Sequence, residues 1–275
     1  MTLITVAIKC HRDRRVFSCI QSIPAGAEIL VLLAEGDPLS EELRQVGVRP
    51  VVVASNDLGM RANAALVEAT HDKVVITDSD CVMREGCIEA MSEALDRSSV
   101  VRARMEFRHS GRFWAKAIAG WREYENNHEP VPAFQPGLGI HRRLLKDLAP
   151  PLFPESVLFS EDDAFDSRVK QHRIPVRFLS EAVVSHDVIG FRHFLNSGTR
   201  TGAGTARQVF LGVRPHYERP LWLAASLFRF RWLREFRSWA AGAGFSAALV
   251  AALWYLAYYS GYFSERRAIR RRGGL

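Results

Sequence analysis

The chain has 275 residues, 48% hydrophobic and 24% charged, which is the composition of a globular protein with one large core or two small ones. Its net charge of +7 is uneven, because residues 219–275 hold ten arginines and two glutamates, which leaves −1 for the rest. A nearly neutral body argues against nucleic-acid binding, whereas a basic tail favours contact with an anionic membrane surface. The four cysteines lack C-x-x-C spacing, which predicts reduced thiols without a zinc site or disulfides, and the N-terminus predicts no cleaved signal peptide.

Apolar runs and amphipathic segments alternate along the first hundred residues. The pattern predicts strands at residues 3–8, 28–33, 49–54 and 73–77, and helices at residues 13–23, 40–46, 59–70 and 85–96. Strands that alternate with helices form parallel βαβ units. We therefore expect an α/β fold with a doubly wound, mainly parallel sheet flanked by helices.

Beyond residue 100 the alternation is less regular. The pattern predicts a strand at 100–107, a helix at 114–126, a loop or short strand at 134–140, a helix at 160–171, and strands at 176–179 and 182–186. Residues 199–207 are rich in Gly, Thr and Arg, which predicts a flexible segment. Such a segment either closes over a pyrophosphate through Arg200 and Arg207 or is a plain surface loop.

Residues 239–263 contain no charged side chain, and 25 residues are enough to cross a bilayer as a helix. Tryptophan and tyrosine crowd the second half of this run as in an interfacial belt, and arginines flank both ends. We expect C-terminal membrane-associated helices. The alternatives are a spanning transmembrane helix, a helix that lies in the interface, and a buried helix of a soluble domain.

Asp78, Ser79 and Asp80 follow directly after the predicted strand at 73–77. Open α/β sheets bind ligands at the C-terminal ends of their strands. Two carboxylates there suit Mn²⁺ or Mg²⁺ that holds a diphosphate. Acids are also common in turns after strands, so a surface turn is the alternative.

A second polar segment lies between a predicted strand and an alanine-rich helix. Gly59 in this segment allows close backbone approach to a ligand, and Arg61 is placed to contact a phosphate or ribose. A simple helix cap by Asn56 or Asp57 is the alternative.

A third segment opens the predicted helix at 160–171. Glu161, Asp162 and Asp163 repel one another unless solvent, a cation or a substrate compensates, although acids in a first turn also complement the helix dipole. His186 follows a strand-like run and would complete a metal site if it lay near Asp80.

In this order, the segments resemble the inverting glycosyltransferases of family 2, which bind nucleotide sugars with a GT-A fold. The resemblance spans roughly residues 3–190. It includes the first strand and helix, the segment at 56–63, Asp78-x-Asp80, Glu161-Asp162 with Arg168 seven residues after Glu161, and His186. It implies a GT-A catalytic domain at residues 1–215, a membrane-associating segment at 216–275, and Mn²⁺ or Mg²⁺ as cofactor.

The resemblance also implies roles for individual residues. Asp80 and His186 would bind the metal, and Asp162 would be the general base with Glu161 beside it. Asp78 would contact the ribose or the metal. The nucleotide-sugar site would comprise Ala7, Lys9, Glu35, Asn56, Arg61, Asp78, Ser79, Arg200 and Arg207. The family's second strand usually ends in an Asp-Asp-Gly-Ser type of turn, and here Glu35 would replace the acid that helps to hold the base.

By this resemblance, the chain would transfer a sugar from a nucleotide-diphosphate sugar to a lipid or lipid-linked acceptor at the cytoplasmic face of the cell membrane, without nucleic acid. The lack of a Gln-x-x-Arg-Trp motif favours a single addition. One alternative is a nucleotidyltransferase, which usually has a glycine-rich basic loop after its first strand, whereas residues 9–15 contain no glycine. Another is a non-catalytic membrane-bound relative with a decayed site.

Overall fold

The computed structural model describes residues 3–157, 159–188, 190–213 and 231–274. The chain forms two compact units, Met1–Glu106 with Glu129–Asp187, and Phe107–His128 with Val188–Leu275. The predicted boundary between residues 215 and 216 lies outside the described residues and stays a prediction.

The first unit is built on an eight-stranded sheet in the order β3-β2-β1-β4-β7-β6-β8-β5. The strands are β1 Thr5–Lys9, β2 Glu28–Ala34, β3 Arg49–Val53, β4 Lys73–Asp78, β5 Cys81–Met83, β6 Val100–Arg108, β7 Leu138–His141 and β8 Val176–Asp187. The sequence pattern missed β5, and it divided β8 into two pieces.

The sheet is mixed, which corrects the expectation of a mainly parallel one. β1, β2, β3 and β4 pair in parallel, but β7 is antiparallel to both β4 and β6, and β5 is antiparallel to β8. A strand's own pattern of buried residues is the same in either direction, so the later strands did not reveal their pairing.

The α-helices of the described residues, in chain order, are α1 Val16–Gln21, α2 Leu39–Gln45, α3 Leu58–Glu68, α4 Cys87–Arg97, α5 Phe113–Asn127, α6 Glu161–Gln171, α7 Phe191–Phe210, α8 Arg231–Ala243 and α9 Phe245–Arg272. In the first unit, fully buried apolar side chains of β1, β2 and β4 pack with α3 and α6. Phe165 on α6 stacks on Phe153, with ring centroids 4.7 Å apart. This core fixes α6 against the sheet.

The segment at 56–63 begins α3. The side chain of Asp57 caps the helix by accepting the Met60 N–H at 2.9 Å. Gly59 does permit a close approach, but to the protein itself, because a Cβ there would overlap the Pro154 carbonyl oxygen. Asn63 Nδ2 likewise donates to the Phe153 carbonyl at 2.8 Å. These contacts hold the loop around residue 154 against α3.

In the described part of the second unit, α5, α7, α8 and α9 surround a cluster that includes Trp121, Phe194 and Trp254. The expectation of a flexible segment at 199–207 is wrong, because these residues lie inside α7. Gly198 and Gly202 of α7 lie against α9, where a Cβ on Gly202 would overlap the Tyr258 carbonyl oxygen. Packing between the two helices outweighs the low helix propensity of glycine.

The uncharged run at 239–263 is divided between α8 and α9, with Gly244 between them at φ +93°. Among the described residues, no helix combines the length and the apolar character needed to cross a membrane. Trp254 and Tyr262 from this run are buried within the second unit.

Candidate active site

Lys9 ends β1 and Asp78 ends β4, and the two residues are direct neighbours in the parallel pairing. Lys9 Nζ lies 3.3 Å from Asp78 Oδ1 and donates to Glu161 Oε1 at 3.1 Å. Burial alone lowers the pKa of Lys9, but the carboxylates of Asp78, Glu161 and Asp162 raise it by more, so the amine stays protonated. Lys9 therefore joins the C-terminal edge of the sheet to the start of α6.

Asp162 lies in the first turn of α6. Its Oδ1 accepts the Asp163 N–H at 2.9 Å, and its Oδ2 accepts the Gln135 N–H at 3.4 Å. Burial and the neighbouring charge of Glu161 raise the pKa of Asp162 to about 7, against the opposing effect of Lys9. A carboxyl group with a pKa near neutrality is suited to take and release a proton.

The backbone at the start of α6 is strained. Ser160 has φ +69°, a left-handed conformation that is uncommon outside glycine, and its side chain does not cap the helix. Its carbonyl oxygen accepts the Ala164 N–H at 3.3 Å. Strained backbone is typical of functional sites, and here it directs the acidic turn.

Asp80 and His186 come together because Cys81 pairs with His186 across β5 and β8. Asp80 Oδ2 lies 3.2 Å from His186 Nε2. Burial raises the pKa of Asp80, but His186 and then Arg15 lower it by more, so the carboxylate is ionised.

Ligand atoms of Asp80, Cys81 and His186 lie within 4.8 Å of one another. Burial raises the pKa of the Cys81 thiol well above its usual range, so the sulfur keeps its proton and is a poor ligand. A carboxylate oxygen and an imidazole nitrogen remain. The carboxylate suits Mn²⁺ or Mg²⁺, whereas the imidazole nitrogen is a poor ligand for Mg²⁺, so the residues present fit Mn²⁺ better than Mg²⁺.

Arg61 is almost fully buried on α3, and its Nη2 donates to Asn56 Oδ1. Burial lowers the pKa of Arg61, whereas nearby groups that include Asp37 and Asp78 oppose the change. The guanidinium is therefore directed to the same side of the fold as the acids that end β4.

The turn after β2 contains two acids in different environments. Glu35 is exposed. Asp37 is buried and accepts the N–H of Arg12 at 2.8 Å and of Leu39 at 3.1 Å. Asp37 thereby connects the loop after β1 to the turn after β2. Its importance is recognised from these hydrogen bonds and not from its position in a sequence motif.

The remaining predicted residues are placed differently. Ser79 Oγ donates to Asp13 Oδ2 at 3.0 Å. Ala7 lies in the middle of β1 and belongs to the core. Arg200 and Arg207 lie on α7 in the second unit, where Arg207 Nε is 2.8 Å from Glu265 Oε1. Their contacts with a nucleotide sugar stay predictions.

Arg168 is one of the residues on which the resemblance rests. Its guanidinium contacts backbone carbonyl oxygens and so stabilises the fold. Its guanidinium donates to the carbonyl oxygens of Leu152 at 3.0 Å and Ala149 at 2.7 Å. It therefore fixes the chain segment that leads towards α6.

Sequence reasoning missed Asp13, Arg15 and Arg102. Arg102 on β6 is fully buried, its pKa is lowered to about 10 by burial, and its Nη1 donates to the Pro136 carbonyl at 2.6 Å. It thus supports the loop whose Gln135 N–H reaches Asp162. The sequence signal that could have identified Arg102 is an arginine within an apolar strand run, because arginine is rarely buried without a partner.

Comparison with known proteins identifies the fold. No family model matches the chain, and no curated protein matches its sequence. Residues 1–349 of S. aureus TarS in complex with UDP-GlcNAc are similar in structure, with 15% identity, a TM-score of 0.54, and coverage of 98% of this chain and 92% of that one.

Two structures of glucosyl-3-phosphoglycerate synthase from Mycobacterium tuberculosis are also similar. One contains Mn²⁺, UDP and phosphoglyceric acid, with 18% identity, a TM-score of 0.51, and coverage of 74% of this chain and 76% of that one. The other contains Mn²⁺, UDP-glucose and phosphoglyceric acid, with 18% identity, a TM-score of 0.52, and coverage of 74% of this chain and 77% of that one. At these identities the likeness shows a shared fold: the chain has the mixed-sheet α/β fold of these GT-A glycosyltransferases.

Proposed function

We propose that this chain is a metal-dependent inverting glycosyltransferase of the family 2 type. The observation that carries the proposal is the arrangement of acids at the C-terminal edge of the sheet. The ionised Asp80 faces His186, while Asp162, with a pKa near 7, occupies the first turn of a separate helix. Asp80 is suited to bind a metal ion, and Asp162 is suited to transfer a proton.

The solved structures support the choice of donor and cofactor. TarS binds UDP-GlcNAc, and the synthase binds Mn²⁺ with UDP or UDP-glucose. We propose that this chain takes a nucleotide-diphosphate sugar, with UDP-sugars as the first donors to test. Asp80 and His186 would hold Mn²⁺ or Mg²⁺, which when bound neutralises the charge of the diphosphate leaving group.

The protein's own residues supply the remaining chemistry. Asp162 would take the proton of the acceptor hydroxyl as that oxygen attacks the sugar from the side opposite the diphosphate, which inverts the anomeric centre. Lys9 holds Glu161 in an ion pair and so fixes the turn that carries Asp162. Asp78 and Arg61 would bind the nucleotide.

We further propose a lipid or lipid-linked acceptor at the cytoplasmic face of the membrane. The support is the C-terminal end of α9, where arginine side chains are exposed, namely Arg267, Arg270, Arg271 and Arg272. Clustered arginines of this kind are attracted to anionic lipid headgroups.

The donor site is tested by thermal unfolding of the full chain with UDP, ADP, GDP, CDP or TDP, each with Mn²⁺, Mg²⁺ or EDTA. We expect one diphosphate to raise the Tm, with a larger increase when metal is present, because a ligand of the native state stabilises it by mass action.

The matched variants are Asp80→Asn, which should lose the metal-dependent part of the shift, and Asp147→Asn at an exposed acid, which should keep it. A chain whose Tm responds to no nucleoside diphosphate, or responds equally in EDTA, would contradict the proposal.

A further inference from the structure

The carboxylate of Asp80 has a second neighbour besides His186, and this one is a cation. Arg15 Nη2 lies 3.5 Å from Asp80 Oδ2, the same oxygen that lies 3.2 Å from His186 Nε2. Both contacts compensate the charge of that oxygen. A divalent ion held by this oxygen and by His186 Nε2 would therefore meet the positive charge of the Arg15 guanidinium at the same carboxylate, and like charges repel.

Arg15 is held by another residue, Asp13. Arg15 Nε donates to Asp13 Oδ1 at 3.0 Å, and Arg15 Nη2 donates to Asp13 Oδ2 at 2.8 Å. Burial raises the pKa of Asp13, but its hydrogen bonds with Arg15 lower it by more, so the pair is ionic. Arg15 can thus release Asp80 without losing its main partner.

The two neighbours of Asp80 differ in how easily they can move. His186 belongs to β8 and is fixed by the pairing of β8 with β5. The side chain of Arg15 is 43% exposed and lies just before the short helix α1, whereas that of Asp80 is 15% exposed. Arg15 is therefore the neighbour that an incoming ion can move.

We propose that Arg15 is a resident counter-cation of Asp80, which competes with the divalent ion and is displaced when the ion binds. Asp13 retains the displaced guanidinium beside the site. This inference rests on the proposed function, because it assigns the regulation of metal binding to a residue of the same site. Arg15 would keep Asp80 neutralised whenever no ion is bound.

The test compares two neighbouring arginines in the full chain. Arg14 is 70% exposed, and its Nη1 pairs with Glu42 Oε1 at 2.9 Å, so Arg14→Gln changes the charge equally without touching Asp80. Mn²⁺ affinity is measured without nucleotide, from the paramagnetic resonance signal of free Mn²⁺. We expect Arg15→Gln to bind Mn²⁺ about fivefold more tightly, which corresponds to the loss of a competing contact of ~1 kcal/mol.

Two further variants define the result. Arg15→Lys keeps the positive charge and should stay near wild type, and Asp80→Asn should remove the binding altogether. A Kd for Mn²⁺ that is unchanged or higher in Arg15→Gln, or equally lower in Arg14→Gln, overturns the inference. Failure of the proposed function would instead be seen as a lack of response to nucleoside diphosphates, which is a separate measurement.

Discussion

Glu161 and Asp162 are adjacent in the chain, yet their side chains have different partners. Glu161 is 3% exposed and accepts a hydrogen bond from the buried ammonium of Lys9. Asp162 accepts only backbone N–H groups among the hydrogen bonds found for it in the described part of the chain. The charge of Glu161 is therefore compensated directly, whereas that of Asp162 is not. This difference is the reason why we propose Asp162, and not Glu161, for the proton-transfer role.

The pH dependence of stability follows from the raised pKa of Asp162. The native state binds this proton more tightly than the unfolded chain, in which aspartate titrates near 3.9. Asp162 therefore reduces stability progressively as the pH rises from about 4 to about 7, and its effect is constant above that.

Asp162→Asn should accordingly raise the free energy of unfolding at pH 8 by about 1 to 3 kcal/mol while abolishing sugar transfer. Urea unfolding at pH 4 and pH 8 measures the stability, and donor binding should persist. Asp163→Asn is the matched control. A variant that still transfers sugar, or whose gain in stability is the same at both pH values, refutes this role. In the wild type, transfer should increase as the pH rises through about 7.

Among the helices, α7 and α9 show most clearly how packing selects structure. Gly198 and Gly202 lie four residues apart on one side of α7, and Gly261 lies on the facing side of α9. A Cβ on Gly261 would overlap the Thr199 carbonyl oxygen, just as one on Gly202 would overlap that of Tyr258. The glycines that suggested a loop in the sequence are what allows two backbones to touch.

Gly202→Ala should therefore lower the free energy of unfolding by about 1 to 3 kcal/mol, because the added methyl group forces the two helices apart. Gly120→Ala on α5 is the control, since its Cβ would lie 3.6 Å from the Ala243 carbonyl oxygen, an ordinary contact. That variant should be neutral or stabilising by up to ~1 kcal/mol through helix propensity. Thermal unfolding compares the two, and a tolerated Gly202→Ala would show that the helices do not pack closely in solution.

At the scale of the whole molecule, the structure shows that the basic tail also contributes to a hydrophobic core, which the sequence did not reveal. The basic tail includes α9, whose apolar residues form much of the core of the second unit, among them Ala248, Val250 and Ala251. Removal of the tail would therefore disrupt that core. Membrane association is better tested by changing charges than by truncation.

Changing the four exposed arginines of α9, at positions 267, 270, 271 and 272, to glutamine should abolish binding to vesicles that contain phosphatidylglycerol. Each arginine near an anionic surface contributes about 1 kcal/mol, and the interaction is weakened by salt. Flotation of the full chain with anionic and with neutral vesicles measures the effect. The same binding in wild type and variant would remove the support for a membrane-bound acceptor.

The sequence by itself determined most of the elements of the first unit and the types of residue at their ends, although it missed β5 and divided β8. The predicted strand at 73–77 is β4, Asp78 ends it, and the predicted helix at 160–171 is α6. These features depend on local periodicity and on residues that adjoin an apolar run, both of which are encoded in short windows of sequence.

Only the tertiary structure decided which of these residues meet. Strand direction beyond β4, the contacts of Asp80 with His186 and with Arg15, and the helical state of 199–207 all depend on groups far apart in the chain. The physical reason is that long-range pairing and close packing are set by the whole chain together. A short segment carries its own periodicity but not the identity of its partner.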